Sequence, residues 1–287
     1  MHNYLTKTMA LLLVGIVALV MTPLWKVQGQ GDDEFEPTFP DVRYVEEGDY
    51  KHKVDIYLPE GAETPYPTIL LFHGNGYTKW DMEPLAQYFV GQGFAAVAVE
   101  YRNPMPDFIE DSFCALAWTH TNAETYDFDT DRVFVLGHSM GGFAATVLGV
   151  NDEPEPFLKN CEHSLPDENR LAGVILYAAG GIDTSAIEDA DERAERSALI
   201  TDQIDGSEPP FLLIHGTIDR LVPPESSEHF AALLEDAGVP TTLVLLDEVG
   251  HFFTDPTSEP GALAIEAVDE FLTGIFAAEE IEEDQSS

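Results

Sequence analysis

The chain has 287 residues, 44% of them hydrophobic, enough to bury a sizeable core. Its 53 acidic residues against 13 Lys and Arg give a formal net charge of −40, so nucleic acid and anionic membranes are repelled and excluded as partners. Such a surface is soluble and self-repelling, and the acid excess also matches adaptation to high salt, where screening is strong.

In chain order, the first residues carry Lys7 and no acid, and residues 9–21 form an uninterrupted run of apolar or small side chains. That run is too short for a comfortable membrane span. With small residues around Gly29 it reads as a signal peptide over residues 1–29, removed on export to the periplasm or the exterior. An uncleaved anchor is the alternative, because residues 22–25 lengthen the run. After cleavage no stable membrane association is expected. Cys114 and Cys161 are the only cysteines; in an exported chain an even count reads as a disulfide, here closing a long loop, and otherwise as two buried thiols.

Residues 30–40 are acidic and proline-containing and read as a loose leader. Residues 42–46 and 50–58 alternate with the period of two of half-buried antiparallel strands. Residues 68–72 and 94–99 are continuous apolar runs with an amphipathic stretch, 82–90, between them, the pattern of buried parallel strands. A helix over 109–126, a strand over 133–136 and a small-residue helix follow, then strands over 171–177, 210–214 and 242–246. The helix over 224–237 stops at Gly238, a C-cap signal. A last helix over 261–278 runs into a charged tail, 279–287, expected to fray. The segment 151–169 is polar, and 182–209 holds a charged helical stretch, a partial lid or a solvated surface helix. Residues 41–278 therefore predict one catalytic domain of the α/β class, with a doubly wound, mostly parallel sheet of about eight strands and helices on both faces.

The chemistry gathers at Gly137, Ser139 and Gly141, a G-x-S-x-G between an apolar strand and an alanine-rich helix. That context predicts a sharp turn which holds a serine hydroxyl out at the end of the strand, beside the positive end of the helix dipole. A hydroxyl is a weak nucleophile and needs a base with an orienting acid behind it. Among nine histidines, His251 follows the last apolar strand next to Gly250 and is the candidate base. Asp219, in the loop after the strand at 210–214, is the candidate acid, with Asp183 as its rival. Charge developing on the substrate oxygen requires two donors: the Met140 amide, and Asn75 or Gly76 in the loop after Phe72. His73 and His215, each before a glycine at a strand end, read as loop-bracing residues. With no H-E-x-x-H, cysteine cluster, G-x-G-x-x-G or G-K-[ST] loop, neither a metal nor a nucleotide cofactor is expected.

With these motifs, over nearly all of residues 42–278, the chain resembles the α/β-hydrolase family, and within it the bacterial feruloyl-esterase-like (BD-FAE) and esterase/lipase group. The residues that carry the resemblance are His73 to Gly76, Glu100 to Arg102, the elbow from Gly137 to Gly142, the segment from His215 to Pro223 with Asp219, and Gly250 with His251. Asn75 stands where the family's usual H-G-G-G loop has glycine, which leaves the second oxyanion donor open. The resemblance implies a secreted serine hydrolase that cleaves a small-molecule carboxylic ester through an acyl-enzyme, with the catalytic roles on Ser139, Asp219 and His251. The elbow is also similar to that of cutinase-like polyester hydrolases. The Asp219 segment is similar to that of prolyl-oligopeptidase-type peptidases and acyl-peptide hydrolases. A catalytically silent binding protein on the same fold is the remaining alternative. Oligomeric state is not readable from the sequence.

Overall fold

A strand covered on both faces must be apolar at successive positions rather than at alternate ones, and the continuous runs of this sequence make the middle of a single sheet. The computed structural model describes residues 35–166 and 170–286, with side chains through Glu279. The expected signal peptide and residues 30–34 of the leader lie outside the described residues. The strands are β1 (Phe39–Arg43), β2 (Lys53–Tyr57), β3 (Tyr66–Phe72), β4 (Ala95–Glu100), β5 (Phe128–His138), β6 (Gly173–Tyr177), β7 (Phe211–Gly216) and β8 (Thr241–Leu246). They lie in the order β1-β2-β4-β3-β5-β6-β7-β8. β2 pairs antiparallel with β1 and β4, and every other pairing is parallel.

The helices are α1 (Glu83–Gly91), α2 (Asp107–Thr121), α3 (Ala123–Tyr126), α4 (Met140–Val150), α5 (Ala190–Leu199), α6 (Glu225–Ala237) and α7 (Glu259–Ser286). Alternation along β3 divides the core between the two faces. Leu70 and Phe72 pack with Phe113 of α2, Val147 of α4 and Phe230 of α6. Ile69 and Leu71 pack with Phe89 of α1 and with Val268 and Leu272 of α7. This is the doubly wound sheet that the pattern predicts, and it is the α/β-hydrolase architecture that the resemblance implies.

Register decides where the loops emerge. Phe72 pairs with Gly137, His138 with Tyr177, Tyr177 with Ile214, and Gly216 with Leu246. The carboxyl ends of the six parallel strands, β3 to β8, therefore meet at one edge, where crevices form in open α/β sheets.

Several boundaries differ from the sequence reading, among them the helix expected over 109–126, which is divided into α2 and α3 at Asn122, and four differences have a local reason. β1 lies at 39–43 rather than 42–46, because a bulge at Asp41, with φ 54°, lets its amide donate to Asp55 Oδ1 at 2.7 Å. The leader is not loose over its final residues: the Phe35 ring stacks on Tyr57 at 5.1 Å, and Thr38 Oγ1 accepts from the Leu58 amide. β5 starts at Phe128, five residues before the apolar run, and the polar pattern of Asp129 and Asp131 hides it. The tail expected to fray continues as helix to Ser286, in keeping with the high helix propensity of glutamate.

Cys114 of α2 and Cys161 are joined in a disulfide. With Phe157 stacked on Phe113 at 4.5 Å, it ties part of the polar 151–169 segment onto α2. Among the described residues no helix is long and apolar enough to cross a membrane.

Candidate active site

Ser139 sits between β5 and α4 at φ 55° and ψ −114°, a backbone state that costs a non-glycine residue about 1–3 kcal/mol. Its surroundings impose that state. A Cβ on Gly137 would lie 2.1 Å from the Gly141 carbonyl oxygen, and one on Gly141 would lie 2.2 Å from that of Phe72. Both glycines are required by backbone contact, as the motif predicts. The Ser139 amide donates to Tyr177 O at 2.9 Å, and Ser139 O accepts from Gly180 N at 3.0 Å, so β6 and the loop after it clamp the turn. The hydroxyl makes no hydrogen bond to the His251 ring among the described residues.

The two other candidate residues meet directly. His251 Nδ1 is 2.6 Å from Asp219 Oδ2, with both side chains buried. With Nδ1–H donated to the carboxylate, Nε2 is left as the basic nitrogen. Asp219 Oδ1 accepts from the amides of Leu221 at 2.8 Å and Val222 at 3.0 Å. Burial pushes the Asp219 carboxyl up, but the His251 bond and these two amides outweigh it and hold the pKa below the ordinary value. The rival, Asp183, is turned elsewhere: it accepts from Ser185 and pairs with His229 at 3.0 Å.

Two further histidines complete this half of the site. His215 is fully buried, and its Nε2–H points at Asp219 Oδ2 at 3.2 Å and at Val222 O at 3.1 Å, while Nδ1 accepts from Ser227 Oγ at 2.7 Å. Its role is therefore wider than loop bracing, since it is a second imidazole donor on the Asp219 carboxylate. His138 Nε2 donates to His251 O at 3.0 Å. Burial pulls the His138 pKa down to about 4, so the ring is neutral near pH 7. Sequence reasoning missed His138; its one signal is its place beside the nucleophile, inside the G-x-S-x-G.

The candidate oxyanion donors come from the start of α4 and from the loop after β3. Met140 opens α4, and the loop after β3 runs close enough to the elbow that a Cβ on Gly74 would be 3.3 Å from Ser139 Cβ. Asn75 Oδ1 accepts from Asn103 Nδ2 at 2.8 Å, and Gly76 has φ 82°. Glu100 to Arg102 hold this loop. Glu100 accepts from the Lys79 amide at 3.0 Å, Tyr101 donates its hydroxyl to His73 O and stacks on the His73 ring at 4.3 Å, and Arg102 forks onto Asp111. Lys79 is buried and paired with Asp41 and Asp55, an anchor invisible in a chain dominated by acids. Beside His251 stands an exposed aromatic wall, with Phe252 5.1 Å from the His251 ring and 6.1 Å from Tyr77. Among the described residues no group of three His, Cys, Asp or Glu is placed to hold a metal ion.

The chain is similar to known ester hydrolases. The chain is 26% identical to the probable carboxylic ester hydrolase LipM of Mycobacterium tuberculosis over 83% of its own length, and it spans 62% of that relative. The butyrate-bound structure of Est2, an esterase from the planctomycete Thermogutta terrifontis, matches with a TM-score of 0.67 and 25% identity, covering 82% of this chain and 94% of that one. The same esterase phosphoramylated by tabun gives a TM-score of 0.70 at 25% identity, covering 85% and 97%. The BD-FAE family model matches residues 54–200, just over half of the chain and inclusive of the elbow, and the chain belongs to that family.

Proposed function

We propose that the protein is an exported serine hydrolase that cleaves carboxylic esters through an acyl-enzyme. The observation that carries the reading is the 2.6 Å bond between His251 Nδ1 and Asp219 Oδ2 at the same sheet edge as a serine forced to φ 55°. Ser139 Oγ attacks the ester carbonyl carbon and passes its proton to His251 Nε2. The oxyanion is met by the amide of Met140 and that of Asn75 or Gly76. Collapse of the intermediate breaks the C–O bond, and the alcohol leaves with the proton from His251. Water then attacks acyl-Ser139 with His251 again as base, and the carboxylic acid is released. Asp219 stays ionised and holds the imidazole in the required tautomer.

The substrate reading is a small alkyl or aryl ester of short to medium acyl length. It is supported by the exposed Tyr77 and Phe252 beside His251, and by analogy with the butyrate found in the Thermogutta esterase. Export is supported by the apolar run at 9–21 and by the Cys114–Cys161 disulfide, since such bonds persist in oxidising compartments. A panel of p-nitrophenyl esters of increasing chain length, run beside an aminoacyl p-nitroanilide, tests the activity. Turnover of esters but not of the anilide is expected, together with stoichiometric labelling of Ser139 by an organophosphonate. An unlabelled Ser139 would sink the nucleophile assignment, and anilide turnover without ester turnover would point to a peptidase.

A further inference from the structure

Segment 182–209 places Arg196 of α5 against the elbow. The guanidinium carbon lies 4.5 Å over the Phe143 ring, and Phe143 is one helical turn beyond Ser139, its amide donating to Ser139 O at 3.2 Å. On the other side is Gly181, whose neighbour Gly180 also donates to Ser139 O; a Cβ on Gly181 would come within 2.9 Å of Arg196 Nη1. The missing side chain is what gives the guanidinium its room.

The donors of Arg196 are unspent. Arg102 and Arg132 fork onto carboxylates and Arg170 donates to backbone carbonyls, whereas the Arg196 guanidinium makes no hydrogen bond among the described residues. Its Nε is buried without an acceptor. The carboxylate one turn back, Glu192, stands 4.0 Å from Nη2, beyond hydrogen-bond reach, and is itself 57% exposed. Leaving a charged donor buried and unmatched is costly in a chain with 53 carboxylates from which to choose a partner. The side chain keeps 22% of its surface open, so the Nη groups are accessible to a ligand.

We propose that Arg196 is the acyl-end anion site of this hydrolase, and that it selects esters whose acyl chain ends in a carboxylate. The proposal rests on the ester-hydrolase reading above. The leaving alcohol takes its proton from His251 and departs on the side of His251 and Phe252. Arg196 stands over α4 and Gly181, so the group it meets is the acyl chain. The planar fork of a guanidinium matches a carboxylate in two parallel hydrogen bonds.

The test is the ratio of kcat/KM for p-nitrophenyl hydrogen adipate to that for p-nitrophenyl hexanoate. It is measured at about 0.15 M sodium chloride, which limits long-range repulsion between the anionic ester and the acidic surface. Arg196→Gln is expected to lower the ratio about tenfold or more, because a site built to hydrogen-bond a group discriminates strongly for it. Arg196→Lys, which keeps the charge but loses the fork, is expected to fall between the two. Hexanoate turnover in each variant reports that the fold survives. An unchanged ratio in Arg196→Gln overturns the anion site and leaves the hydrolase reading standing. Failure of the wild-type protein to turn over either ester ends both.

Discussion

The two halves of the site are built by different means. The Ser139 half is held by backbone. Gly137 and Gly141 press on carbonyl oxygens, and main-chain bonds from β6 and the following loop close around the serine. The acid–base half is held by side chains from separate segments: His215 at the end of β7 and Asp219 after it, Ser227 on α6, His251 after β8, and His138 reaching across from the elbow. A turn forced by close backbone contact tolerates no added atom at its glycines. A web of side-chain hydrogen bonds weakens one bond at a time.

The sharpest way to break that contrast is to compare Ser139→Ala with Gly141→Ala. Ser139→Ala is expected to lower ester turnover by at least about four orders of magnitude, because members of a triad act as a unit, with little change in melting temperature. In Gly141→Ala the new Cβ meets the Phe72 carbonyl oxygen at 2.2 Å. That variant should lose turnover and, in chemical denaturation, about 1–3 kcal/mol or more of stability. A Gly141→Ala protein with wild-type stability would show that the elbow yields, and the contrast would fail.

Asp219→Asn comes next, with an expected loss of roughly three to four orders of magnitude in kcat, since an amide favours the wrong imidazole tautomer. Asp183→Asn should cost less than about threefold, because its carboxylate serves His229 and Ser185. The reverse pattern would transfer the acid role to Asp183. His215→Leu removes one donor from Asp219 and strands the Val222 carbonyl; the expectation is about a ten- to hundredfold fall in kcat with little change in KM. His215→Gln restores an N–H donor and should recover part of that loss. Equal kcat in the two variants would reduce His215 to packing.

The same division explains what the sequence discloses. The sheet is legible because burial on both faces forces long apolar runs, and the elbow is legible because its requirements are local: glycines two residues to either side of Ser139. Asp219 and His251 are legible as residues at strand ends, and the structure brings them into contact. The start of β5 at Phe128 is not legible, because Asp129 to Arg132 are polar and partly or wholly exposed and carry no apolar pattern. Neither are the grip of Lys79 on Asp41 and Asp55 or that of His138 on His251, since no local spacing marks a pair more than 20 residues apart. The oxyanion loop lies between these cases: its glycines are readable as positions of close backbone approach, whereas the Asn75–Asn103 bond is not.

His138 belongs to both halves, with its backbone in the elbow and its ring on the His251 carbonyl, and it supplies the smallest of the expected effects. Burial holds its folded pKa at about 4, below its ordinary value of 6.5. The unfolded chain therefore takes up this proton at higher pH than the folded one. The contribution of neutral His138 to stability is complete above about pH 6.5 and is lost as pH falls towards 4. A gap of that size corresponds to about 3 kcal/mol. His73, His120 and His215 are also lowered, chiefly by burial, and steepen the same window. Asp219, held below the usual carboxylate range, loses its contribution only in more acidic solution, under about pH 4. His138→Gln keeps an N–H for the His251 carbonyl but cannot titrate. Between pH 7 and 4 its unfolding free energy should fall less steeply than that of the wild type, the two curves converging by up to about 3 kcal/mol. Parallel curves would show that His138 takes up its proton without disturbing the fold, and the side-chain half would then be looser than its hydrogen bonds imply.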